Sequence, residues 1–447
     1  MTRTTPQAPP RLGGNYARLF SASALANLGD GLMAVAVVWL ASALTRDPTA
    51  IALVGLASRL PWLLFSLPAG VLSDRYDRRL LVGAMDVVRC VVVAAFGLLL
   101  WFHQHDLPTP EALAAGAAPP PNANLLLGAL VGGALLLGCA EVVRDNTAQS
   151  LLPSVVDRSL LEKANGRLWA AETTMNQFVG PPLAGVLVAV SVAWPFIGNA
   201  GLLAACAVLV FSLRGNFRPG AAASGRINFR AEISEGVRWL WSHHLLRALA
   251  VALGVMNLAG SLAGVVFVLF AQEVLGLFDG WKFGVLLSGA AAGAVLGSVF
   301  ADRVIARLGE ARALLVSITV MAVTLLFTAV VSAAALVWLA QLLSGAMVVV
   351  WNVITVSLRQ RIIPDHLLGR VNSVYRFFGW GTISIGTLFG GLLVSWSQPW
   401  LGREWALRAP FVVGGALYVA VLVFAARWFT QERIDHARSA VEVPVSG

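Results

Sequence analysis

Gly70-Val71-Leu72-Ser73-Asp74-Arg75-Tyr76-Asp77-Arg78-Arg79 is a short polar run between two long apolar ones, and its reading decides what the rest of the chain is. About 20 apolar residues let a helix cross the ~30 Å hydrocarbon layer of a bilayer, and both flanks are that long. In lipid each backbone polar group must be bonded within its own element, so a polar knot of this size belongs in a tight turn at a membrane face. Its three arginines assign that face to the cytoplasm, where Lys and Arg accumulate.

Working outward, composition says the same. With 58% hydrophobic and 12% charged residues among 447, and a mean hydropathy of +0.77, the chain is too apolar for a water-soluble globule. The net charge of +9 comes from arginines scattered singly or in small groups between apolar runs, which is the positive-inside pattern and not a nucleic-acid surface. Apolar runs between charged or Pro/Gly breaks predict spans near 16–42, 48–73, 80–102, 124–150, 165–190 and 194–213, then 246–274, 281–302, 311–333, 334–361, 371–396 and 408–429. The chain therefore reads as an all-α membrane protein of twelve transmembrane helices in two pseudo-symmetric six-helix bundles. Its expected parts are a flexible terminus at 1–15, bundles at 16–213 and 246–429, a cytoplasmic connection at 214–245 and a tail at 430–447. One set of alternate loops holds most of the Lys and Arg, the other only Arg46, Lys282, Arg403 and Arg408, so both termini are expected in the cytoplasm.

The two halves echo each other. Leu160-Leu161-Glu162-Lys163-Ala164-Asn165-Gly166 recurs as Leu367-Leu368-Gly369-Arg370-Val371-Asn372-Ser373, and Ser73-Asp74-Arg75 as Ala301-Asp302-Arg303. Repeated halves of this kind are the layout of an alternating-access carrier, which rocks about a site near the midplane.

With these features in place, the Gly70 to Arg79 stretch resembles the loop between helices 2 and 3 of the major facilitator superfamily, Gly-x-Leu-Ala-Asp-Arg-x-Gly-Arg-Arg, with Ser73 and Asp77 as departures. Glu141 to Pro153, Ala164-Asn165-Gly166 and Gly180-Pro181 are similar to the branch containing bacterial siderophore exporters and multidrug or macrolide efflux proteins. Gly180-Pro181-Pro182-Leu183-Ala184-Gly185 resembles the end of the fifth-helix motif of antiporters, Gly-Pro-x-x-Gly-Gly, with Asn176 where an upstream glycine is expected. The resemblance implies a conformational latch of Gly70, Asp74, Arg75, Arg78 and Arg79, with Asp74 facing the helix that opens near Asn372 and the arginines reaching a carboxylate such as Asp145 or lipid phosphate.

Charges within spans cost about 2.5–3.5 kcal/mol each on insertion scales, so each calls for a partner or a task. Asp30 lies ~21 Å into span 1 and Arg59 ~16 Å into span 2 from the opposite face, which is nearly one depth. They are expected to pair or to face one cavity, with Asp30 as the leading proton carrier or else one half of a permanent ion pair. Glu141, Arg144 and Asp145 share one face of span 4 by their i, i+3, i+4 spacing, and Glu172 and Asn176 share one of span 5. A Glu172 to Arg144 contact is expected, and Asp86 and Arg89, at i and i+3, are expected to satisfy each other. Trp351, Phe377, Phe378 and Trp380 are either packing aromatics or the wall of an aromatic pocket.

No Gly-x-x-x-x-Gly-Lys-Ser/Thr pattern for a nucleotide phosphate is present, so an ion gradient is the expected energy source. The expectation is a proton-coupled secondary transporter that exports small amphipathic molecules such as a drug, antibiotic or siderophore. A lipid or lysolipid flippase of the same fold is the alternative. An enzyme is not expected, since neither a nucleophile with its base nor metal-ligand spacing is found, and no cofactor or metal is called for. The expected partners are a small-molecule substrate, protons and membrane lipid, for a monomer in a bacterial cytoplasmic membrane.

Overall fold

The computed structural model describes residues 12–157, 160–218 and 229–442. The described residues are helical almost throughout and contain no strand. In chain order the helices are α1 Gly13–Leu44, α2 Pro48–Arg75, α3 Arg78–His103, α4 Ala123–Val155, α5 Leu161–Thr173, α6 Gly180–Val190 and α7 Trp194–Phe211. After the connection come α8 Phe229–Ser242, α9 His244–Glu273, α10 Gly280–Leu308, α11 Glu310–Val330, α12 Ala334–Ile362, α13 Asp365–Trp428 and α14 Gln431–Glu442. Both copies of the Leu-Leu repeat open a helix, α5 in one half and α13 in the other.

Ten helices among the described residues are long and apolar enough to cross a membrane, where the sequence predicts twelve spans. Both differences have a local cause. The fifth span is cut into α5 and α6 by a π-helix over Thr174–Val179, in which Gly180 N–H reaches back to the Met175 carbonyl. Pro181 and Pro182 follow at once, and as they have no N–H the carbonyls of Gln177 and Phe178 lose their usual α-helical partners. The last two spans run together as the 64-residue α13, which turns at Gly402, where φ of 74° and ψ of 168° lie outside helical geometry and suit a residue without Cβ.

The chargeless break between the ninth and tenth spans is a true boundary, closed from a distance. Buried Arg408 of α13 donates to the Ala329 carbonyl at 2.7 Å and to the Ser332 hydroxyl at 2.7 Å, satisfying the end of α11. Glycines bring α10 and α12 into backbone contact. A Cβ on Gly289 would lie 2.7 Å from the Trp338 carbonyl oxygen, and one on Gly297 2.5 Å from that of Ala346. Lipid offers helices little hydrophobic reason to associate, so such close backbone approach is how membrane helices hold together.

The chain forms two compact units, each made of noncontiguous stretches. The first comprises Met1–Ala36, Leu64–Gln104 and Leu135–Gly225, and the second Val37–Leu63, His105–Ala134 and Arg226–Gly447. Helices α1, α2 and α4 thus give one end to each unit.

Candidate functional site

The first unit contains a charge cluster inside its long helices. Arg89 of α3 bonds to Asp30 of α1, and Arg144 of α4 bonds to Asp86 of α3 at 3.2 Å and to its own neighbour Asp145 at 3.0 Å. Asp86, Arg89 and Arg144 are buried, while Asp30 and Asp145 keep 18% and 31% of their side chains accessible. Glu141 is half-buried one turn before Arg144 and acts electrostatically on Arg89. The pairing differs from the sequence expectation: Asp30 is held by Arg89, and Asp86 by Arg144. Helix spacing alone favoured Asp86 with Arg89, yet these neighbours on α3 each turn to a charge on a different helix. Arg59 is exposed on α2 in the second unit.

Four buried polar atoms in and beside this cluster have no hydrogen-bond partner among the described residues: Asp86 Oδ2, Arg89 Nε and Nη1, and Asn199 Oδ1. Asn199 of α7 packs its side-chain oxygen against Gly29, next to Asp30. The cluster is thus rich in charge and only partly satisfied, and unpaired polar groups at such depth are costly unless they have a use.

The fifth-helix motif sits against the same stretch of α1. A Cβ on Gly31 would stand 2.5 Å from the Asn176 carbonyl oxygen, and one on Gly180 2.6 Å from the Gly31 Cα, so the two glycines let α1 and the π-helical turn touch through backbone. Pro181 and Gly185 are buried on α6. Glu172 lies exposed on α5 with no hydrogen-bond or ion-pair partner among the described residues, and within electrostatic range of Asp145 and Asp30. Arg144 is committed to Asp86 and Asp145, and the expected Glu172 contact is not made.

The turn that opened the sequence reading is pinned by carbonyls. Arg78 Nη1 donates to the Ser150 carbonyl at 3.0 Å and Arg79 Nη1 to the Leu213 carbonyl at 3.0 Å, which ties α3 to the ends of α4 and α7. Asp77 caps α3 by accepting from the backbone N–H groups of Arg79 and Leu80. Arg75 is exposed. The side chain of Asp74, the Gly70 packing and the Asn372 partner expected for Asp74 lie outside the described residues.

Sequence reasoning missed a second charged group, at helix ends in the second unit. Glu273, the last residue of α9, accepts from Arg403 Nε at 2.7 Å and Nη2 at 2.9 Å, a two-pronged contact, and lies 3.6 Å from Arg46 Nη1. Arg403 also donates to the Arg46 carbonyl at 2.8 Å, and Arg46 to the Gln272 side chain and the Pro110 carbonyl. Thr49 and Ser395 share a hydroxyl bond of 2.8 Å beside it. The clamp joins the C-terminal end of α1, the start of α2, the end of α9 and the Gly402 turn. The signal was present, because Arg46 and Arg403 are among the few bases that the loop count left on that side.

The aromatic pocket resolves as packing at the positions described. Trp351 is 3% exposed in the core of the second unit beside Phe429, and Phe378 packs with Trp241. The side chains of Phe377 and Trp380 lie outside the described residues.

Long apolar helices carrying paired charges at depth, with helix ends tied by arginine, define a multi-pass membrane transporter. The chain belongs to the transmembrane secretion effector family of the major facilitator superfamily, whose profile matches residues 4–426. It is 27% identical over 393 residues to the multidrug efflux pump Tap of Mycobacterium tuberculosis, spanning 83% of this chain and 85% of that one, and the same figures hold for Tap of Mycobacterium bovis. Among solved structures, a bacterial homologue of the iron transporter ferroportin superposes with a TM-score of 0.70 at 16% identity, covering 93% of this chain and 99% of that one. The nucleoside transporter NupG does so with a TM-score of 0.67 at 12% identity, covering 92% and 99%. These structural likenesses are likenesses of fold.

Proposed function

We propose that this chain exports small amphipathic molecules, of the class of drugs, antibiotics or siderophores, in exchange for protons and by alternating access. It does so as a monomeric carrier and not as an enzyme, in a bacterial cytoplasmic membrane with both termini inside, and its partners are cargo, protons and lipid. The observation that supports this reading is the imbalance of the charge cluster. Asp30, Asp86 and Asp145 pair with Arg89 and Arg144, and Glu141 and Glu172 add further acids within electrostatic range of the group. Acids that share their countercharges are coupled, so a proton added to one redistributes the pairing among the rest. A proton on Asp30 weakens its hold on Arg89, whose unpaired N–H groups then serve another carboxylate. The ion pairing between α1, α3 and α4 is thereby changed, and protonation is linked to helix movement. The similarity to a multidrug efflux pump supports the direction and the breadth of cargo.

The test is uptake of ethidium by inside-out membrane vesicles, in which export reads as accumulation. Accumulation is expected to require an imposed proton gradient and to fall to the level of protein-free vesicles in Asp30→Asn. Accumulation unchanged by a protonophore would sink the coupling. Export that survives Asp30→Asn would move the proton site to Glu141, Asp145 or Glu172. Transfer of labelled phospholipid between leaflets without a gradient would replace this reading with that of a lipid flippase.

A further inference from the structure

The second unit holds a partly open cavity of about 330 Å³ among α9, α10, α11, α12 and α13, well away in sequence from the charge cluster. The cavity exists because α9 turns small residues toward it. Nothing lies within 4 Å of where a Cβ on Gly264 would stand, and only the Tyr418 hydroxyl, at 3.9 Å, approaches one on Gly260. Phe267, Phe411, Leu287 and Val348 supply apolar walls, and no charged side chain is among the described lining residues.

Polar groups converge on this apolar space in a way that packing does not require. Tyr418 is 8% exposed, and its hydroxyl has no hydrogen-bond partner among the described residues. The Ser344 hydroxyl is likewise unpartnered, and Gln341 gives its Nε2 to the Leu286 carbonyl at 3.2 Å while its Oε1 stays open. Thr324 and Thr328, by contrast, bond back to carbonyls of their own helix and present methyl groups. A concave, mostly apolar space with a few convergent hydrogen-bonding groups is the usual make-up of a small-molecule site.

We infer that this cavity is a binding chamber for an uncharged, ring-bearing molecule that carries one hydrogen-bonding group. That it serves exported cargo rests on the reading given above, whereas the binding itself does not. Phe267 and Phe411 offer ring contacts, and Tyr418, Ser344 and the Gln341 oxygen take the polar group. A cationic or anionic head is rejected for want of a countercharge, so charged cargo reaches the chamber only by its neutral part. A lipid acyl chain would fill the volume but would leave all three polar groups unpaired.

The probe is N-phenyl-1-naphthylamine, a neutral three-ring amine with one N–H. Its binding to the purified full-length chain is read as saturable energy transfer from tryptophan, with Trp338 one turn from Gln341. Gly264→Leu places a side chain in open space and so leaves the fold intact while filling the chamber, and Tyr418→Phe keeps the shape but removes the hydroxyl. Saturable transfer is expected for the wild type, weakened about tenfold or more by Gly264→Leu and several-fold by Tyr418→Phe. No saturable transfer in the wild type, or equal affinity in Gly264→Leu, would overturn the chamber. So would a phospholipid retained in native mass spectrometry of the wild type and lost from Gly264→Leu. If binding behaves as expected while inside-out vesicles accumulate no ethidium, the export reading fails and the chamber stands. If ethidium export proceeds while the amine does not bind, the reverse holds.

Discussion

In the first unit Asp30, Asp86, Glu141 and Asp145 share Arg89 and Arg144, whereas in the second a single carboxylate among the described residues, that of Glu273, pairs with both Arg46 and Arg403. The first group is acid-rich, partly unsatisfied and set within spans. The second is base-rich, bonded to Gln272, Gln398 and two backbone carbonyls with Arg46 Nε left over, and set at helix ends. On the proposed reading, the acid-rich group changes its pairing when a proton arrives. In the base-rich one, the single carboxylate is held from two sides by guanidinium groups, and its pairing holds. On the proton-coupled reading proposed above, the composition of a charged group separates a part that responds to protons from a part that holds helices together.

Arg144→Met tests the first half of that contrast and is expected to have the largest effect. It strands the fully buried Asp86, and breaking a buried ion pair from one side costs about 3–5 kcal/mol. Thermal unfolding of the purified variant should show it. The double variant Arg144→Met with Asp86→Leu should regain most of the lost stability and none of the gradient-driven export. If it transports normally, the cluster is only a clamp and the contrast fails.

Glu273→Gln addresses the other half. Hydrogen bonds to charged groups contribute about 1.5–3 kcal/mol each, and some accessibility of Arg403 puts the expected loss at the lower end. Export should slow a few-fold with its pH profile unmoved, measured as ethidium accumulation across a series of external pH values. A displaced profile would mean that the clamp also binds the transported proton.

The smallest effect is expected from Lys282→Ala. Its partnership with Asp279 is a one-turn pair with 43% and 53% of the side chains accessible, and exposed pairs contribute about 0–1 kcal/mol. Neither the melting temperature nor export should change measurably, which sets the baseline against which the two buried groups are judged.

Much of this architecture was legible in the chain itself. Apolar run length located the helices, the Gly70 to Arg79 turn located a membrane face, and the cost of charge in lipid pointed to Asp30, Arg144 and Asp145. The partners were not legible. Asp86 and Arg89 look paired by spacing, yet which charge each meets depends on how α1, α3 and α4 are rotated, and an apolar span fixes that rotation weakly. The clamp escaped notice because Glu273 closes an otherwise apolar helix and meets Arg403 across 130 residues of sequence. The chamber was invisible for a different reason: what makes it is absence, in the missing side chains of Gly260 and Gly264.

The π-helical turn at Thr174–Val179 has a consequence for anyone who maps the fifth span residue by residue. One extra residue in a helical turn shifts the phase of all that follows by about 100°. A helical wheel drawn through the span as a single α-helix would place Glu172 correctly or Gly185 correctly, but never both. In a cysteine-labelling scan, the accessible stripe should run in step from Leu161 to Thr173, slip by one residue, and resume from Gly180. Deleting one residue within the turn should erase that slip and swing the Glu172 side of the span away from the face it now shares with Asp30 and Asp145.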